Sequence, residues 1–174
     1  MHRLLLYSAL LLLTQCSKCK DDPKPKPPVE DTLPAETQTG ANSFGCLLNG
    51  QVWLPAGQPA TARFYQNTLT LNANKRVVEN GVTTRQSVHM SFDNNGLPIQ
   101  VGHYVLGESS QDYVRYSDLE SICEYESDTT PIGFVDITKL DYSLRIVSGR
   151  FAFTLRRAGC PDVQATDGRF DLKF

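Results

Sequence analysis

The side chains in this sequence best suited to chemistry are His89, His103 and the acids between Glu108 and Asp128. An imidazole ligates a metal or moves a proton near neutral pH, while carboxylates hold hard cations or work in pairs as acid and base. His89 lies between Val88 and Met90, and His103 between Gly102 and Tyr104, both in strand-like alternation. On that spacing His89 points away from the face shared by Val88, Met90 and Phe92. Two such histidines joined by a distant acid would make a metal or hydrolytic site. Each is read instead as a surface or hydrogen-bonded structural residue, and no metal ligand is assigned.

The acid-rich stretch carries Glu108, Asp112, Asp118, Glu120, Glu124, Glu126 and Asp128 against Arg115 alone. Carboxylates suit hard cations and tyrosines offer flat amphipathic contact. Asp118, Glu120, Glu124 and Glu126 with Tyr113, Tyr116 and Tyr125 therefore form the candidate contact surface, suited to a glycan, Ca²⁺ or an envelope protein. The spacing is not that of an EF-hand loop, and a solvated connection between strands is the plainer alternative. No Gly-x-Ser-x-Gly elbow, His-Glu-x-x-His helix or phosphate loop occurs, so no catalytic residue and no cofactor are assigned. The formal net charge of -2 argues against nucleic acid, whose binding rests on excess lysine and arginine.

The N-terminus reads as an address. Met1-His2-Arg3 precedes an apolar run from Leu4 to Leu13, shorter than the roughly 20 residues a membrane span requires. Leu13-Thr14-Gln15-Cys16 then resembles a bacterial lipobox, with Gln15 departing from the usual small residue. That resemblance implies a signal peptide over 1–15, acylation of Cys16 and anchoring in the outer membrane. Ser17-Lys18-Cys19-Lys20-Asp21-Asp22 is similar to the signals that place Bacteroidota lipoproteins on the outer face, which implies surface display. Residues 16–43 read as a tether, since prolines 23, 25, 27, 28 and 34 break the segment and little in it can pack.

Residues 44–174 read as a single domain. Asn49-Gly50 between Phe44–Leu48 and Gln51–Leu54 is a hairpin signal, and Asn80-Gly81 and Asp93-Asn94-Asn95-Gly96 punctuate later alternating runs. Val135 and Ile137, then Phe151, Phe153 and Leu155, then Phe170, Leu172 and Phe174 mark three further strands, with Asp167-Gly168 read as a tight turn before the last. Ser117 to Ile122 is the one candidate for a helical turn. The pattern predicts an all-β fold of roughly eight to ten short strands, an antiparallel β-sandwich with a small barrel as alternative. Of the domain cysteines, Cys123 and Cys160 lie in irregular polar stretches and are the predicted disulfide, while Cys46 in an apolar strand serves as a small core residue.

Phe44 to Pro55, Gly133 to Asp141, Arg145 to Thr154 and Thr166 to Phe174 together resemble a family of uncharacterised Bacteroidota lipoproteins, a domain of unknown function. The resemblance implies an exported all-β domain and carries no active site with it. The reading is thus a non-enzymatic binding or structural module on a lipid anchor. The alternatives are a hydrolase of polysaccharide or envelope polymer, and an inhibitor or immunity-type lipoprotein.

Overall fold

A computed structural model describes residues 32–107, 112–127 and 132–174. The signal peptide, Cys16, Cys19, Glu108 and Asp128 lie outside the described residues. Among the described residues eleven strands follow one another: β1 Ser43–Leu48, β2 Gln51–Trp53, β3 Thr61–Tyr65, β4 Thr68–Glu79, β5 Val82–Phe92, β6 Gly102–Leu106, β7 Tyr113–Asp118, β8 Tyr125–Glu126, β9 Gly133–Asp141, β10 Ile146–Leu155 and β11 Val163–Lys173. They form a six-stranded sheet ordered β2-β1-β11-β10-β9-β6 and a five-stranded sheet ordered β3-β4-β5-β7-β8, antiparallel throughout. The two pack face to face as a sandwich, and neither closes into a barrel. The three C-terminal strands expected from alternation are the middle of the larger sheet.

Local chemistry explains the tight turns. Asn49 and Gly50 adopt φ of 49° and 79°, and Asn80 and Gly81 adopt 50° and 81°, the paired positive values a two-residue hairpin loop requires. Gln66 and Asn67 do the same between β3 and β4, with φ of 46° and 66°, where no glycine advertises the turn. In the β9–β10 connection Asp141 Oδ1 accepts from the backbone N–H of Ser143 at 3.0 Å and of Leu144 at 2.9 Å. Ser117 and Asp118 end β7 and no helix follows, because Leu119 and Glu120 turn the chain toward β8.

Asp167-Gly168 corrects the sequence reading. The pair is a bulge inside one continuous strand: Phe151 faces Gly168 while Phe153 faces Ala165, so β11 carries an extra residue there. Asp167 takes the positive φ, 51°, and Gly168 lies flat against Phe151, whose carbonyl oxygen would be 2.5 Å from an added Cβ. The extra residue resets the alternation, so odd-numbered Val163 and Ala165 and even-numbered Phe170 and Leu172 all face inward and are buried.

The core between the sheets is aromatic at one end. Phe44 stacks on Phe151 with centroids 5.0 Å apart and meets Trp53 edge-on at 6.2 Å. Leu69, Leu71, Val88, Met90, Phe92 and Val114 supply the opposing face. Backbones approach closely where side chains are absent: a Cβ on Gly149 would stand 2.1 Å from the Asp136 carbonyl oxygen and 2.8 Å from the Phe170 ring. Gly149→Ala should therefore lower stability by about 1–3 kcal/mol through overpacking, measured by urea unfolding. Unchanged stability would show that β9 and β10 can separate freely there.

The N-terminal part of the compact unit is a strap. The unit begins at Thr32, and from Pro34 to Asn42 the chain lies on the outer face of the six-stranded sheet instead of running free to Ser43. Glu36 pairs with Arg150, Arg169 Nη1 donates to the Pro34 carbonyl at 3.2 Å, and Lys139 Nζ donates to the Gln38 carbonyl at 3.1 Å. Few of its side chains are apolar, which is why hydropathy gave no sign of it.

Candidate functional site

The strap leaves the two outward faces unequal. Among the described residues no segment crosses the outer face of the five-stranded sheet, and the register arranges its side chains in rows. One row runs Thr61, Asn72, His89, Arg115 and Glu126 across all five strands, and the next pairs Asn74 with Ser87 and Ser87 with Ser117. Alternation dictates this, since Leu71, Ala73, Val88, Met90 and Val114 take the inner positions.

The residues of the row bond to one another. His89 Nδ1 lies 2.6 Å from Asn72 Oδ1, and the Tyr113 ring meets the imidazole edge-on at 5.5 Å. Partial burial, and then the nearby Arg115 guanidinium, lower the His89 pKa, so the ring is neutral at pH 7. A neutral ring that donates from Nδ1 to Asn72 keeps Nε2 as an acceptor. The Tyr113 hydroxyl donates to Glu126 Oε1 at 2.9 Å, and Arg115 stands 3.5 Å from Glu126 and 3.8 Å from Glu124. Ser87 Oγ and Ser117 Oγ are 2.6 Å apart. Asn72, Asn74, Ser87, His89, Tyr113, Arg115 and Ser117 line a depression of about 360 Å³ that offers donors, acceptors and a phenol ring.

The acid-rich stretch is split by the fold. Tyr113, Glu124 and Glu126 reach this face, where Arg115 offsets the acids. Tyr116 and Tyr125 do not: both are buried in the core with ring centroids 6.1 Å apart, and they offer no contact surface. Burial, followed by the neighbouring Asp118, drives the Tyr116 hydroxyl pKa upward. The Tyr125 hydroxyl donates to the Pro161 carbonyl at 2.7 Å. Asp118 accepts from Gln86 Nε2 at 2.9 Å, and Gln86 Oε1 accepts from Trp53 Nε1 at 2.8 Å, a chain that closes one edge of the sandwich. Glu120 is exposed beside Lys75 and Thr84, apart from Glu124 and Glu126. The lobe therefore scatters because residues adjacent in sequence alternate between two faces.

His89 and His103 belong to different sheets and share no site. His103 Nδ1 is 2.6 Å from Asp136 Oδ1 on the exposed face of the larger sheet. Among the described residues no group of three or more His, Cys, Asp or Glu side chains is placed to hold a metal ion. Cys123 and Cys160 are disulfide-bonded, with Cα atoms 6.1 Å apart. Cys46 is fully buried, and burial pushes its thiol up to about 12, so it is an inert core residue at neutral pH.

Asp171 was not visible as a special residue. It is only 1% exposed, on the outer side of β11 beneath the strap. Its Oδ2 accepts from Thr37 Oγ1 at 2.6 Å and from the backbone N–H of Thr39 and Ala41 at 3.0 Å each, and Oδ1 accepts from Gly40 N–H at 2.8 Å and Ser148 Oγ at 2.7 Å. Burial alone would raise its pKa, but these hydrogen bonds outweigh burial and hold the carboxyl well below the usual carboxylate range. A carboxylate so fully bonded has no role as an acid or base; it clamps the strap.

A family model described as Domain of unknown function (DUF6252) matches residues 43–171. The chain belongs to this family. The DUF6252 match starts at the first residue of β1 and ends at Asp171 in β11, so it spans the sandwich and excludes the strap. No curated protein matches this DUF6252 chain, and no solved structure does.

Proposed function

We propose that this DUF6252 chain is an exported lipoprotein of the Bacteroidota envelope whose sandwich is a non-enzymatic binding module, with the outer face of the five-stranded sheet as its contact surface. One observation carries the choice of face: the strap crosses the outer side of one sheet, while the other presents a self-bonded polar row with Tyr113, His89 and Arg115. Side chains already held by mutual hydrogen bonds lose little entropy on contact, which favours recognition. The leader, Cys16 and the lysine-aspartate segment after it support anchoring in the outer membrane and display on its outer side.

The test has two parts. Cys16→Ser should move the protein from the membrane fraction to the soluble one. Tyr113→Ala with Arg115→Ala should weaken binding roughly tenfold, the loss expected of central contact residues. The measurement is a screen of wild type and variant against neutral and acidic glycans, Ca²⁺ and purified envelope proteins. An identical binding profile for both chains overturns this face as the contact surface, and membrane attachment without Cys16 overturns the anchor.

A further inference from the structure

Beside the polar row, β4 and β5 place Arg76 directly opposite Arg85. Like charges facing each other across an antiparallel pair are destabilising, so an opposed pair invites a counter-charge. Both arginines are exposed, and among the described residues neither takes part in an ion pair. They border a cavity of about 400 Å³ that Lys75 also lines and that, among the described residues, no carboxylate lines, although the chain as a whole is slightly acidic. A volume of this order suits a small ligand.

The rest of the lining narrows the ligand class. Asn74, Ser87 and Ser117 form one polar wall. Ser87 and Ser117 share one hydrogen bond at 2.6 Å, so one of their two hydroxyl hydrogens is left to donate. The Asn74 amide adds both a donor and an acceptor group. Hydroxyl-matching groups on one side and two guanidinium forks on the other fit a molecule with alcohols and a carboxylate, because guanidinium binds carboxylate through paired N–H donors.

We propose that the cavity bordered by Arg76 and Arg85 binds a carboxylate-bearing saccharide, the two guanidinium groups holding the acid and the Asn74–Ser87–Ser117 wall holding ring hydroxyls. The proposal rests on the reading of this sheet face as a binding surface and names the ligand class it takes.

Calorimetric titration of the full chain with trigalacturonate tests it, with maltotriose, inorganic phosphate and phosphatidylglycerol vesicles as comparison probes. Trigalacturonate is expected to bind, and more tightly than maltotriose. The Arg76→Gln/Arg85→Gln variant should weaken that binding at least tenfold. Arg63→Gln removes an exposed arginine of β3 outside the cavity lining and should leave affinity within twofold. Circular dichroism identical to wild type confirms that the variants are folded. Absence of binding at millimolar trigalacturonate, unaltered affinity in the double variant, or preference for phosphate or vesicles overturns the assignment. Maltotriose binding that is lost on Tyr113→Ala, without trigalacturonate binding, overturns the acidic ligand while leaving the sheet face as the contact surface.

Discussion

Replacing Asp171 by alanine should lower stability by about 3 kcal/mol, the range of losses seen when a buried, multiply bonded carboxylate is removed. Ser148 Oγ, buried at 0% exposure, loses its acceptor, and the backbone N–H groups of Thr39, Gly40 and Ala41 lose theirs. Asparagine is no rescue, because its amide hydrogens would face groups that are themselves donors. Urea unfolding gives the stability change, and faster amide exchange at 39–41 shows whether the strap lifts. Near-wild-type stability with protected amides would mean that the carboxylate is not what holds the strap.

The same residue sets an acid limit. Its folded-state pKa lies below the unfolded value of about 3.9, so the stabilisation is fully present above that pH and is lost as pH falls toward the folded pKa. Wild-type stability should thus decline on acidification below about pH 4, and Asp171→Asn should decline less steeply over the same interval. Parallel pH profiles for the two chains would contradict the assignment.

Opening the Cys123–Cys160 disulfide is the second large perturbation. The bridge closes a loop of sequence separation 37 and joins the segment entering β8, in the five-stranded sheet, to the β10–β11 connection of the other. In the chain-entropy model that closure contributes roughly 4 kcal/mol. The Cys123→Ala/Cys160→Ala chain should melt lower than wild type by on the order of 10 °C, followed by calorimetry. The Tyr125 to Pro161 and Arg157 to Glu124 hydrogen bonds lie at the same end and are expected to weaken with it. A melting temperature equal to wild type would show that these contacts alone hold the two sheets together there.

Much of the sandwich is legible in the sequence because its turns use residues with a specific backbone reason to be there. Asn49-Gly50 and Asn80-Gly81 mark hairpins, and Phe151, Phe153 and Leu155 mark a strand with one apolar side. The disulfide is legible because its cysteines interrupt polar connections while Cys46 does not. The bulge is not, since Asp-Gly serves a turn and a bulge equally well and only the partner strand decides. The strap escapes because one carboxylate holds it through backbone N–H groups, which composition does not report.

The contact face was legible only in part. Tyr113 to Asp118 alternates strictly, and reading it as a strand would have sent Tyr116 inward; the density of acids suggested a solvated lobe instead. The Arg76–Arg85 opposition follows from the Asn80-Gly81 turn, because residues whose numbers sum to 161 face each other across that hairpin.

The pairing of β1 with β11 has a mechanical consequence. The first strand of the sandwich is hydrogen-bonded on both sides, to β2 and to the last strand, and the residues just before it pack against Lys173 and Ile146 at Gly40. Tension arriving along the chain from its amino end therefore meets the strap first, through the Pro34 and Glu36 contacts and then the Asp171 clamp, and only after these give way does it load the hydrogen-bond ladders of β1. Pulled from its amino end, the domain would fail there in two stages, with the outward face of the five-stranded sheet undisturbed through the first.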